Sequence, residues 1–407
     1  MKMIVFIGSY RHGTSKEALT IAKEMGFTVV LLTDKRSIQN DENLFPDVDH
    51  YVYMMNLIDK EGIIREIEEF EKQGMQLCAV LSFIDPYVSM AAAISNYFGL
   101  TDLSVAALQL MENKIHLRTH LHHHDSSPWH AVFQINDSPK RFTDNHEALL
   151  PLIIKPPISS GSKDVILATS RMELLKNLTA LQKKYPNSPL LVEEFLEGPQ
   201  YLVELFVLQD HMMIIGVIEQ DIQFNGRFIV MGYSYPAVLN DQVMTSLRAT
   251  ISSIVKKIGL KTGSCHLELK LVHGQWKLIE MNPRMSGGAM NRILEDGSGV
   301  NLIKSIINMH LGKSPSVVEK PEKYVYAKYL TVSSIGKLLK VTGTEHAQLQ
   351  EGVTYVSIQP SIGAIIKDPT SMGHRCACII AVAKTAERAK QSALKAAREI
   401  RFYIEPL

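Results

Sequence analysis

Residues 265–284 constrain this chain more than any other stretch: they read as two short strands that turn back at His273-Gly274-Gln275. On the first, Leu267, Leu269 and Leu271 alternate with His266, Glu268 and Lys270, the two-residue period of a half-buried strand. On the second, Ile279 and Met281 alternate with Leu278, Glu280 and Asn282. A three-residue loop with a central glycine sets Val272 opposite Trp276, and therefore Glu268 opposite Glu280 and His266 opposite Asn282. Two carboxylates then share one face with Cβ atoms roughly 5 Å apart, a pairing that repels unless a cation lies between them. Carboxylates and an amide oxygen are hard ligands suited to Mg²⁺, which commonly binds substrate phosphates as well. The expectation depends on register, because a two-residue loop would turn Glu280 to the opposite face. A solvated hairpin with exposed charges is the plain alternative, and other segments have to decide.

The 407 residues suffice for two or three domains with substantial cores. A hydrophobic content of 46%, with 21% charged residues, is ordinary for a globular chain. The net charge of +1 points away from a nucleic-acid surface or an acidic partner. Cys78, Cys265, Cys376 and Cys378 form no CxxC pair and read as buried, reduced thiols. The apolar run Met3–Ile7 is too short for a signal peptide, and no later run approaches a membrane span. The expectation is a cytoplasmic protein without membrane or nucleic-acid partners.

Strands and helices alternate at the front: strand 3–7, helix 15–26 capped by Ser15, strand 28–33, helix 60–73, strand 77–82 and helix 87–98. That is an α/β pattern with a parallel sheet, running to about residue 110. Ligands bind such sheets at the carboxyl ends of strands, here Gly8–Gly13 and Ser82–Tyr87. Thr14 stands where a phosphate loop needs lysine, and Tyr10 where a dinucleotide fingerprint needs glycine, so both of those readings are rejected. Gly8 is expected to make a tight strand-to-helix turn that lets a substrate approach the backbone.

From about residue 113 the pattern changes. Strand Leu152–Lys155 runs into Pro156-Pro157-Ile158-Ser159-Ser160-Gly161-Ser162-Lys163. Small residues let N–H groups curl around an anion, and Lys155 supplies a point charge; a flexible polar loop is the alternative. His122-His123-His124-Asp125 reads as a solvated turn, since consecutive helical residues point in different directions. Strand Leu190–Val192 leads through Glu193-Glu194-Phe195-Leu196-Glu197 into Gly198-Pro199, a linker whose N–H and C=O groups suit the edge of an adenine.

Lys114, Lys155 with its loop, Glu193–Gly198, His266-x-Glu268-x-Lys270 and Glu280-x-Asn282-Pro283-Arg284 occur here in an order that resembles the ATP-grasp superfamily, in particular its carboxylate–amine ligases. Bacterial L-amino acid ligases, which form dipeptides, are most similar in length and layout. The resemblance implies an α/β ATP-grasp fold with a Rossmann-like parallel-sheet domain at 1–112, a mobile lid subdomain at 113–190 and a mainly antiparallel α+β catalytic domain at 191–407. The last would end in a carboxylase-like segment around Gly373–Ala381.

It also implies roles. Lys114 and Lys155 would hold ATP phosphates, and Ser159, Ser160, Gly161, Ser162 and Lys163 would close over them. Glu193 would face the adenine amino group, with Glu194 beside it and Phe195 and Leu196 along the adenine edge. Glu268, Glu280 and Asn282 would bind Mg²⁺, with Mn²⁺ able to replace it. Arg284 would stabilise the transferred phosphoryl group. Asp85, Pro86, Tyr87, Tyr233 and Tyr235 would wall the substrate site, together with His266, Arg284, Gly287 and Gly288. Two departures stand out: Asp164 where glycine is common, and Gln200 where many members carry a ribose-binding glutamate.

The implied activity joins two L-amino acids through an acyl phosphate, releasing ADP and phosphate, with an apolar first substrate and a small second one. The partners are then small molecules, and a homodimer is compatible. Two alternatives remain. One is an ATP-grasp ligase acting on another small carboxylate; the lack of a following biotin-carrier sequence disfavours a multidomain carboxylase. The other is a non-catalytic ATP-binding module, disfavoured by the three metal-ligand positions and Arg284.

Overall fold

The computed structural model describes residues 1–36, 44–159, 161–315, 321 and 323–407. Ser160 of the small-residue loop lies outside them. Strands β1 (Lys2–Ile7), β2 (Thr28–Thr33), β3 (His50–Tyr53) and β4 (Gln76–Leu81) form a parallel sheet in the order β3-β2-β1-β4. β1, β2 and β4 are apolar on both faces because both are covered, as parallel sheets require. β3, with sequence His-Tyr-Val-Tyr and half-buried throughout, carries no such apolar run and escapes sequence reading.

Two local expectations are corrected here. The first helix is Thr14–Glu24 with Gly13 at its N-cap; Ser15 lies inside it and accepts the Tyr10 N–H at 2.9 Å instead of capping. Gly8 does turn with φ +71°, yet a Cβ there would stand 2.8 Å from Ile84 Cδ1. A neighbouring loop, not a substrate, occupies the space that glycine frees.

The second sheet is antiparallel: β5 (His130–Phe133), β6 (Leu152–Lys155), β7 (Ile166–Ala168) and β8 (Leu190–Glu194), in the order β5-β8-β6-β7. Helices Pro139–His146 and Arg171–Lys184 cover it, burying Phe142, Leu174 and Leu178 against Phe133, Leu152 and Leu190.

The remaining strands are β9 (Gln200–Leu208), β10 (His211–Phe224), β11 (Phe228–Tyr235), β12 (Gly263–Val272), β13 (Gln275–Asn282), β14 (Tyr324–Leu330), β15 (Gly336–Thr342), β16 (Val353–Ile358), β17 (Ile365–Ile366), β18 (Ala377–Ala383) and β19 (Arg401–Pro406). Eight make one antiparallel sheet, β13-β12-β9-β10-β11-β14-β18-β16, and three make a small one, β17-β15-β19. Helix Asp241–Ile258 buries Leu247, Ile251 and Ile254 in the main core. Helix Ala386–Glu399 presents Ala389, Ala393 and Ala396 every three or four residues, a flat seam that packs closely on β14 and β18 of the eight-stranded sheet.

The hairpin reaches its expected pairing by an unexpected route. The turn has two residues, His273 (φ 47°) and Gly274 (φ 78°), the positive angles that a tight hairpin turn demands. Val272 therefore pairs with Gln275, not Trp276. The register then shifts between Glu268 and Leu269: Leu269 pairs with Leu278, whereas Glu268 pairs with Glu280 and His266 with Asn282. Ile279 is the extra residue of a β-bulge. The bulge cancels the slip that the shorter turn introduces.

Candidate active site

The three units enclose a cavity of about 980 Å³. Glu268 and Glu280 line it from adjacent strands. The Glu268 carboxylate accepts from Gln200 Nε2 at 3.0 Å and from Gln220 Nε2 at 3.2 Å, and the two glutamines bond each other at 2.8 Å. Gln200 is thus a support for Glu268, and Gln220 is a second support that no motif marks. Burial and the facing Glu280 push the Glu268 carboxyl well up. Burial would push Glu280 up as well, but Lys114, the Asn282 amide and Lys155 outweigh it and bring the carboxyl down.

Asn282 is held in one orientation. Its Nδ2 donates to Glu280 Oε1 at 2.8 Å and lies 3.2 Å from His266 Nε2, while His266 Nδ1 lies 2.7 Å from the Arg284 carbonyl oxygen. The consistent assignment is a neutral imidazole that donates from Nδ1 and accepts at Nε2. Burial and Arg284 lower the His266 pKa to about 4, in keeping with that form. His266 is therefore a support for Asn282, whose amide nitrogen is spent and whose oxygen is left as the metal donor. Two carboxylates and one amide oxygen suit Mg²⁺ or Mn²⁺ provided that substrate phosphates and water complete the shell. No group of three His, Cys, Asp or Glu residues able to hold a metal occurs among the described residues, the histidine run at 122–124 included.

Lys114 begins helix Lys114–His120, capped by Asn113. Its Nζ lies 3.3 Å from Glu280 Oε1 and donates to the Ser159 carbonyl at 2.8 Å, so one ammonium joins metal hairpin to small-residue loop. Lys155 is buried at the end of β6 and pairs with Glu193, which also accepts from Arg118 Nε at 2.5 Å. One helical turn beyond Lys114, Arg118 escaped sequence reading. Both Arg118 Nη2 (3.1 Å) and Lys155 Nζ (3.4 Å) reach the carbonyl of Ile279, the bulged residue. Burial lowers the Lys155 pKa against the pull of Glu193. For Glu193, Arg118 and Lys155 overcome burial and hold the carboxyl below its usual range.

The loop beyond Lys155 lies over the cavity. Ser159, Gly161 and Ser162 line it, whereas Lys163 is exposed and does not. Asp164 takes φ 60°, the left-handed conformation glycine adopts readily, and is anchored by Lys184 at 2.7 Å and by the Tyr185 hydroxyl. The Gly161 carbonyl accepts the N–H of Met372 at 3.1 Å.

At the linker, Phe195 N–H is committed to the Pro151 carbonyl at 3.1 Å, and the Leu196 carbonyl receives Lys270 Nζ at 2.8 Å. Glu194 caps the Trp129 N–H at 2.9 Å. Phe195 stacks on Phe228, with ring centroids 5.9 Å apart, an aromatic wall at this end of the cavity.

The substrate residues divide. Arg284 bonds Asp85 Oδ2 through Nε at 2.8 Å and Nη2 at 2.6 Å, tying the end of the hairpin to the first domain. Pro86 and Tyr87 do not line the cavity; Tyr87 packs at Gly8, and Phe83 lines the cavity instead. Tyr233 lines it, but Tyr235, two residues on, is core: its ring fills the space left by Gly216 and Gly297. Gly287 and Gly288 line it as expected. Beneath them Glu204, buried on β9, accepts the Ser286 N–H at 2.7 Å, and burial pushes its pKa up to about 8. Arg375, from the carboxylase-like segment before β18, also lines the cavity, though the sequence assigned it no role.

Residues 148–292 match the ATP-grasp domain family, and residues 328–405 match the family described as L-amino acid ligase C-terminal domain 2. Among curated proteins, the chain is 25% identical over 261 residues to uncharacterized protein y4rH of Sinorhizobium fredii, covering 63% of this chain and 54% of that protein. It is 18% identical over 300 residues to the L-arginine-specific L-amino acid ligase of Bacillus subtilis, covering 72% of each. The chain spans about half the length, or less, of the first curated relatives it matches. The crystal structure of L-amino acid ligase from Bacillus licheniformis aligns with a TM-score of 0.85 at 18% identity, over 100% of this chain and 99% of that one, a likeness of fold. Among the described residues no helix is long and apolar enough to cross a membrane.

Proposed function

We propose that this chain, an ATP-grasp protein, is an ATP-dependent ligase that joins two L-amino acids into a dipeptide through an acyl phosphate. The observation that carries the reading is the convergence on one cavity of Glu268, Glu280, Asn282, Lys155 and Arg284, with Lys114 paired to Glu280 from behind the wall. A carboxylate resists amines because its oxygen is a poor leaving group. Transfer of the terminal phosphoryl group of ATP forms a P–O bond to that oxygen and breaks the bond to ADP. The free amine then forms the C–N bond, and phosphate departs with the carboxylate oxygen.

Lys114 and Lys155 place positive charge where the transferred group gains negative charge, and a bound divalent ion supplies the rest. Arg284, oriented by Asp85, offers a planar guanidinium to the phosphoryl oxygens and later to the tetrahedral oxyanion. The loop 159–164 would exclude water that would hydrolyse the acyl phosphate. The Phe195–Phe228 wall suits the face of an adenine, whereas Glu193, the Phe195 N–H and the Leu196 carbonyl are already committed within the protein. Phe83 and Tyr233, the residues of the two expected substrate walls that line the cavity, support an apolar first amino acid.

The test is a phosphate-release screen with ATP, Mg²⁺ and pairs of amino acids, followed by ¹⁸O in the carboxylate of the first. A dipeptide formed together with ADP and labelled phosphate is expected. Labelled AMP would overturn the mechanism, and silence across all pairs would overturn the substrate class.

A further inference from the structure

Three arginines stand buried or nearly so around the reacting end of the molecule. Arg118 is neutralised by Glu193 and Arg284 by Asp85. Arg375, 9% exposed, has no carboxylate partner among the described residues. Its guanidinium is held flat: Nε donates to the Met372 carbonyl at 3.1 Å, Nη1 to the Val230 carbonyl at 3.3 Å, and the carbon lies 3.7 Å from the centroid of the Tyr329 ring. Its ionisable neighbours are Tyr233, Tyr329 and Cys378, none of them an anion at neutral pH. Nη2 looks toward the cavity wall at Gly288, where an added Cβ would come within 3.6 Å of both Nη2 and the Tyr329 hydroxyl. That hydroxyl is buried with only the Cys378 thiol beside it and no oxygen or nitrogen partner.

A buried charge without a counter-charge is expensive, and so is a buried hydroxyl whose hydrogen-bonding neighbour is only a weakly polar thiol. Both costs fall at one point on the wall of one cavity, beside a residue with no side chain to fill the space. A ligand carrying an anionic, bidentate acceptor removes both at once. In the proposed reaction the phosphates have other cations: Lys155, on another part of the wall beside Glu193, and Lys114, which reaches the site through Glu280. In the proposed reaction one anion is left without a cation: the carboxylate of the amino acid that supplies the amine, which persists as the C-terminus of the product.

We propose that Arg375 and the Tyr329 hydroxyl, beside Gly288, form the subsite for the carboxylate of the amine-donating substrate; this rests on the dipeptide reading above. The subsite fixes the donor by its acid group and leaves its amine free. It therefore selects α-amino acids over simple amines and over amino acid amides.

The probes are L-alanyl-L-alanine and L-alanyl-L-alaninamide, titrated by calorimetry into the full chain with ADP and Mg²⁺ present. Wild type should prefer the acid by about tenfold or more, since a site built to bond a group rejects the analogue lacking it. Arg375→Lys keeps the charge but loses the stacked fork, and should bind acid and amide within about twofold of each other. Tyr329→Phe keeps the ring beneath the guanidinium and should fall between, with unchanged thermal unfolding. ATP binding should be the same in all three proteins. An acid preference that survives in Arg375→Lys while ATP binding weakens would overturn the subsite and make Arg375 a phosphate ligand. Wild type that releases phosphate with amino acid pairs yet binds acid and amide alike overturns the subsite alone. Wild type that binds neither probe and releases no phosphate with any pair overturns the proposed function and the subsite with it.

Discussion

Glu268 and Glu280 face each other across β12 and β13, and their surroundings drive the two carboxyls in opposite directions. Glu280 has the cations: Lys114 lies 3.3 Å away, and Asn282 donates to the same oxygen. Glu268 accepts hydrogen bonds only from neutral amides, Gln200 and Gln220, and burial and Glu280 outweigh the pull of Lys114 and Lys155 on it. A divalent ion held by Glu268, Glu280 and the Asn282 oxygen would supply positive charge that favours the ionised form of both carboxyls.

Glu280→Gln should therefore cost more than a metal ligand. It keeps the volume but removes the carboxylate paired with Lys114, and kcat should fall on the order of a hundredfold or more while the fold persists. Phosphate release at graded Mg²⁺ concentrations reads this out; near-normal turnover with unchanged Mg²⁺ dependence would sink the assignment.

Lys155→Ala should remove the rise in unfolding temperature that ATP produces in wild type. The variant should also be less stable by roughly 1–3 kcal/mol, because Glu193 keeps Arg118 but loses half of its buried compensation. If ATP still raised the unfolding temperature by the wild-type amount, Lys155 would be a structural cation only.

For Arg284→Lys, kcat should fall much more than the KM for ATP rises, since lysine cannot present two donors in one plane. Asp85→Asn should reproduce part of that loss, because Asp85 holds the guanidinium without lining the cavity itself. An effect confined to KM in both variants would place Arg284 in ground-state binding.

Glu204 gives stability a pH dependence of unusual sign. Its carboxyl stays protonated in the folded chain up to about 8, whereas in the unfolded chain it ionises near the ordinary value of 4.5. Between those values the unfolded state binds fewer protons, so stability falls as pH rises and levels off above 8. Glu204→Gln keeps an acceptor for the Ser286 N–H and removes the titration. Its stability relative to wild type should rise by on the order of 3 kcal/mol between pH 4.5 and pH 8 in urea unfolding. A difference independent of pH would show that Glu204 is not buried neutral.

The acidic pair was legible from strand alternation, yet the turn assumed for it was wrong. Two errors of one residue, a shorter turn and a bulge at Ile279, cancel. Periodicity records which residues share a face but not where a ladder slips. Arg118 could have been found, since it stands four residues after Lys114 and so shares its helix face. Gln220 could not, because sheet order alone carries it to the cavity from a strand without a motif; Arg375 lay in the carboxylase-like segment, which marked a resemblance but no role for the arginine. Tyr233 and Tyr235 share a strand face, and only the gaps at Gly216 and Gly297 decide that one lines the cavity and the other fills the core.

The peptide of Met372 does two things at once: its N–H holds the Gly161 carbonyl of the loop over the phosphates, and its carbonyl holds Arg375 Nε. A loop that lifts away releases the same short segment that keeps the guanidinium flat on Tyr329. If the proposed activity holds, that shared peptide predicts an ordered sequence, nucleotide before amine donor. Initial-rate patterns in which the donor binds only to the nucleotide complex would be the kinetic trace of one shared peptide unit.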